Sequence, residues 1–75
     1  MSDQLLQRFG ANLRRIRESA GLSQEALADK TKFHRNFVGL VERGERNTSV
    51  TKVAALCEAL GCSPNDLFKG VCKRG

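Results

Sequence analysis

Seventy-five residues make one small domain. A chain this size buries only about 60% of its unfolded surface, so a deep enzymatic cleft is not expected and a partner subunit would help. Thirteen Lys and Arg against eight Asp and Glu give a net charge of +5, which points to an anionic partner, nucleic acid first and a membrane surface second. No apolar run approaches the roughly 20 residues of a membrane span. The start MSDQLLQRFG lacks a signal peptide's basic start and apolar centre, and a cytoplasmic location is expected.

In chain order, residues 3–20 read as a first helix. Leu6, Phe9, Leu13, Ile16 and Ala20 recur at three- and four-residue steps, while Arg8, Arg14, Arg15 and Glu18 fall elsewhere. Gly21 supplies the left-handed residue that ends it. Ser23 can cap a second helix over 24–31, with Leu27 and Thr31 inward and Ala28 small enough for another helix to approach. A helix so short does not hold alone and must be packed. After Lys32 and Phe33, His34 caps a third helix over 35–42. Phe33, Val38 and Val41 mark its buried stripe; Arg35, Asn36, Gly39 and Leu40 form the other face.

Gly44 closes that helix, residues 45–48 form a polar loop, and Ser49 caps a fourth helix over 50–60. Its stripe is Val50, Val53, Leu56, Cys57 and Leu60, and Gly61 ends it. Ser63, Pro64 and Asp66 place a capping serine, a proline at the first helical position and an acid at the third. They start a fifth helix over 64–69 that carries Leu67 and Phe68. The tail 70–75 is expected to fray, with Val71 its anchor. The sequence thus predicts a single all-α domain of five short helices over 1–75, without a strand pattern or repeat.

Two short helices joined by three or four residues, the second with a polar outer face, form a helix-turn-helix arrangement. Arginine and asparagine are side chains that make bidentate hydrogen bonds to guanine and adenine edges in the major groove. Arg35 and Asn36 are therefore the base-reading candidates, preferred over an ordinary solvated face. A mid-helix glycine costs about 1 kcal/mol relative to alanine; Gly39 serves either close approach to DNA or crowding by a neighbouring helix. Leu40 can touch a thymine methyl or pack on the protein. Arg43 and Arg46 flank the helix where phosphate or sugar is reached.

His34 is a cap rather than a general base, since no nucleophile or metal set accompanies it. Cys57, Cys62 and Cys72 have spacings that match no zinc pattern. The first two read as small buried hydrophobes and the third as an exposed thiol. No phosphate loop, paired-acid site or triad is present. The expectation is a non-enzyme without metal, cofactor or small-molecule ligand.

The segments GLSQEALA, FHRNFVGLVERGERN and VAALCEALGCSPNDLF, spanning roughly residues 9–68, resemble the Cro and phage-repressor-like (Xre-type) helix-turn-helix family of transcription regulators. Gln24, Ala28, the triplet from Glu42 to Gly44 and the LG before the fifth helix carry the resemblance. HRNFVGLVERGERN, with no second domain, is similar to the small controller proteins of restriction-modification systems.

The resemblance implies a lambda-repressor-like domain, with the helix-turn-helix at helices two and three, that binds double-stranded DNA at an inverted repeat as a homodimer. It implies that Gln24 braces the DNA backbone and neighbouring side chains. Arg35, Asn36, Phe37, Gly39 and Leu40 would lie along the DNA, Arg43 and Arg46 beside it, and Arg17 would pair with Glu42. Two positions depart from the family pattern: Lys32, where glycine or asparagine is usual because φ is positive, and Phe37, where tyrosine is common. Leu67, Phe68 and Val71, apolar beyond the needs of a short last helix, are the expected dimer surface. The rival expectation is an antitoxin-like or adaptor module that turns the same basic face to an acidic protein.

Overall fold

The computed structural model describes residues 3–71 as five helices: α1 Asp3–Ser19, α2 Gln24–Thr31, α3 Arg35–Glu42, α4 Val50–Leu60 and α5 Pro64–Leu67. No strand occurs among the described residues, and none of their helices is long and apolar enough to cross a membrane. The caps form as their residue types require. Ser23 Oγ accepts from the Ala26 amide at 3.0 Å, His34 Nδ1 from Asn36 at 3.2 Å, and Ser49 Oγ from Lys52 at 3.2 Å. The Asp66 carboxylate reaches back to the Ser63 amide at 3.0 Å. Each satisfies an amide that a helix start leaves without an intrahelical partner.

Phe9 and Leu13 of α1, Leu27 of α2, Val38 and Val41 of α3, Leu56 of α4, and Leu67 form the closed core. α2 and α3 pack on each other, α1 lies against α3, and α5 closes on α1 and α4. Three expected helix positions differ. α1 stops at Ser19, and Ala20 is exposed in the turn made by Gly21, whose φ is +75°. Val50, placed on the inner stripe of α4 by periodicity, is 87% exposed, because the first residue of the helix overhangs the layer that Val53 and Leu56 join. α5 stops at Leu67, short of the expected 69.

The last helix also corrects the expected dimer surface. Leu67 is fully buried and Val71 3% exposed; both belong to the chain's own core. Phe68 is half-buried, its ring 5.0 Å from that of Phe9. Asn12, buried on α1, donates through Nδ2 to the carbonyls of Leu67 at 2.8 Å and Lys69 at 2.9 Å. It thereby satisfies carbonyls that the end of a helix leaves free. Cys72 and the rest of the tail lie outside the described residues.

The turn between α2 and α3 passes through Lys32, at φ 66° and ψ 19°. It is the one non-glycine residue with positive φ among those described. A β-carbon there costs roughly 1 kcal/mol. Lys32→Gly should therefore raise the urea midpoint slightly, by no more than about 0.6 kcal/mol of stability, since the freer unfolded chain offsets about 0.4–1 kcal/mol of the gain. A lowered midpoint would show that strain at this turn does not limit stability.

Candidate nucleic-acid interface

α3 is held from below by Val38 and Val41, at 0% and 2% exposure, and at its end by a charged clamp. Arg17 Nε donates to Glu42 Oε2 at 2.6 Å and Nη2 to Oε1 at 3.1 Å, while Nη1 donates to the Leu22 carbonyl at 2.7 Å. Gln24 Nε2 donates to Glu42 Oε1 at 3.0 Å. The clamp joins α1, the entry to α2 and the end of α3. The hydrogen bond to Glu42 raises the Arg17 pKa above its ordinary value, against the lowering that burial imposes. Arg17 therefore stays charged.

Two clefts flank α3, and Asn36 and Leu40 line both, so these two side chains form the ridge between them. The first cleft lies towards α2 and is bounded by Gln24, Glu25, Arg35, Gly39 and Arg43. The second lies towards α4 and is bounded by Lys32, Phe33, Phe37, Arg46 and Lys52. Arg35 is exposed, with Nη1 3.3 Å from Glu25 Oε2; Arg43 Nε is 3.4 Å from Glu45 Oε1.

The pattern of the helix-turn-helix domain family matches residues 8–67. The chain belongs to that family. It is 41% identical over 61 residues to the control protein C.BamHI of Bacillus amyloliquefaciens, covering 80% of this chain and 75% of that protein. Among solved structures, the restriction-modification controller protein C.AhdI of Aeromonas hydrophila is 46% identical, with a TM-score of 0.82 over 84% of this chain and 96% of that one. The clp gene regulator ClgR of Corynebacterium glutamicum is 30% identical at a TM-score of 0.84, over 89% and 71%. The function class is that of a DNA-binding regulator, and α2 and α3 are its helix-turn-helix.

Within that frame the expected site residues separate. Arg35, Asn36, Arg43 and Arg46 are exposed and Leu40 is half-buried. Gln24 spends its amide on Glu42, which makes it a brace for side chains of the protein itself. Gly39 is buried, and a β-carbon there would lie 3.3 Å from both Arg43 Nη1 and Gln24 Oε1. Both neighbours are the ends of flexible side chains, so the protein's own packing does not by itself require glycine there. Phe37 lines the inner side of the second cleft. It is 9% exposed, its ring packs edge-on to Phe33 at 5.3 Å, and Lys52 Nζ lies over it at 4.5 Å.

Sequence reasoning passed over Glu25, Lys52, Asn12 and Gly10. Gly10 carried a usable signal, because it sits in the middle of a helix where glycine is costly. The others gave none, since their roles depend on neighbours remote in sequence. Cys57 is buried and Cys62 half-buried, both as free thiols. Burial first, and Cys57 second, push the Cys62 thiol up to about 11. A thiol so protonated at neutral pH is a poor nucleophile.

Proposed function

We propose that this chain is a homodimeric regulator that reads an inverted-repeat operator with α3 and serves as the controller of a restriction-modification system. The observation that carries this reading is the presentation of Arg35 and Asn36, both exposed, on a helix whose far end is fixed by the Arg17–Glu42–Gln24 clamp. Arg35 can pair with guanine O6 and N7, and Asn36 with adenine N6 and N7, while Leu40 meets a thymine methyl. Arg43 and Arg46 take phosphates. Arg35 must first leave Glu25, which costs little because exposed ion pairs are worth about 0–1 kcal/mol. The names of C.BamHI and C.AhdI support the restriction-modification assignment.

A titration by fluorescence anisotropy on duplex DNA at 50 and 200 mM salt tests the reading, with a steep loss of affinity expected between about those limits. Absence of binding at low salt would favour the protein-interaction module instead. Arg35→Ala should cost about 1–3 kcal/mol and relax preference at one base position, whereas Arg43→Ala should weaken all sequences alike. Selection from random DNA returning the parent's site for Arg35→Ala would remove Arg35 from base reading.

For the dimer contact, an apolar face lined by Thr48, Val50, Val53, Ala54, Pro64 and Phe68 replaces Leu67 and Val71. Of the three residues first expected there, Phe68 alone stays. At about 100° per residue, Lys52 lies on the side of α4 opposite Val50 and Ala54, so a partner on this face leaves both clefts open. Two copies would then set two α3 helices in grooves about 34 Å apart. Val50→Asp, at an exposed position that does not threaten folding, should shift sedimentation towards monomer. An unchanged dimer would move the interface elsewhere.

A further inference from the structure

The cations of the two clefts are unlike in one respect. In the first, every arginine already has a carboxylate: Arg17 has Glu42 at 2.6 Å, Arg35 has Glu25 at 3.3 Å and Arg43 has Glu45 at 3.4 Å. In the second, Lys32, Arg46 and Lys52 have no ion-pair partner among the described residues, and no acidic side chain lines the cleft. Two of the three are gathered by aromatic rings. Lys52 Nζ stands 4.5 Å from the Phe37 centroid and 5.9 Å from that of Phe33, and the Arg46 guanidinium stands 5.8 Å from Phe37.

We propose that Lys52 binds the phosphate backbone of the DNA strand that passes α3 on its α4 side, and that Phe37 is the positioning residue that holds its ammonium there. This rests on the DNA-binding reading. A helix in the major groove has one phosphate backbone on each flank, and the Asn36 and Leu40 ridge puts the second cleft against one of them. A cation over a ring face keeps its charge and leaves its outer side for an anion. The ring also limits the rotamers of a long side chain, so less freedom is lost on binding. The backbone amide of Lys52 is already used by Ser49 Oγ at 3.2 Å, which leaves the ammonium as the donor. A rotatable point charge suits a phosphate oxygen better than a base edge.

The test is the salt dependence of operator affinity for the full chain, with folding of each variant checked by thermal melting. Each lost phosphate contact lowers the slope of log affinity against log salt by about 0.9, or about eightfold in affinity at 0.1 M salt relative to 1 M. Lys52→Gln should show that change while selecting the parent's site, and Lys52→Arg should restore most of the slope. Phe37→Leu should lower the slope in the parent and by less than half as much in the Lys52→Gln background, whereas Phe37→Tyr, which keeps the ring, should retain it. A parent that binds DNA and a Lys52→Gln variant with an unchanged slope would overturn the assignment of Lys52. Equal effects of Phe37→Leu in both backgrounds would overturn the positioning role. A parent that binds no DNA would instead remove the function on which the proposal rests.

Discussion

Glu42→Ala should cost about 3–5 kcal/mol, the range for breaking a buried ion pair from one side. At roughly 0.05–0.15 kcal/mol per residue, a domain of this length holds only about 4–11 kcal/mol in total. The loss should therefore take a large share of the total and lower the urea midpoint sharply. Glu42 is 2% exposed at its side chain and accepts from Arg17 twice and from Gln24 once. Its removal strands a guanidinium beneath α3 and frees the Gln24 amide. Urea unfolding followed by circular dichroism checks the result. The double variant Arg17→Met with Glu42→Leu should be more stable than Glu42→Ala, because it removes the buried charge along with its partner. A loss under 1 kcal/mol for Glu42→Ala would show that the clamp is solvated in solution and does not fix α3.

The second large effect is expected at Gly10. A β-carbon there would stand 2.3 Å from the Val41 carbonyl oxygen and 2.4 Å from that of Glu42. Backbone cannot swing aside as a side-chain tip can, so Gly10→Ala must part α1 from α3. The expected loss is at least about 1–3 kcal/mol, the usual cost of overpacking, despite the roughly 1 kcal/mol of helix propensity that alanine adds. Gly39→Ala is the internal control. It gains the same propensity, but its β-carbon meets only the ends of Gln24 and Arg43 at 3.3 Å; it should be neutral or mildly stabilising. Equal outcomes for the two variants in urea unfolding would contradict the close approach of α1 to α3.

Both effects arise where α1 meets α3, and the two sides of that contact differ in how well sequence foretells them. The Arg17–Glu42 pair followed from resemblance to the helix-turn-helix family, and the structure places the atoms within hydrogen-bonding distance. Periodicity alone does not place it, because the two residues are 25 apart in the chain. Gly10 was legible in principle as a costly glycine, yet nothing local says which backbone it admits. Phe37 shows the reverse case. Family likeness implies a ring beside DNA, but only the packed structure shows that Lys52, a residue from another helix, stands over it.

Some features were determined by the sequence alone. The bounds of α2, α3 and α4 follow from Ser23, His34 and Ser49 as caps and from apolar steps of three and four. Caps and periodicity act within one or two turns, so neighbouring residues suffice to set them. The exposed arginine and asparagine of α3 follow from the same local pattern. Only the tertiary structure decided that Leu67 and Val71 belong to the core, that Val50 is exposed, that Gly39 faces the side-chain ends of Gln24 and Arg43, and that Lys52 stands over Phe37. Each depends on which helix comes to lie beside which. Burial and ion pairing between distant residues are properties of the packed whole, which a short stretch of chain does not contain.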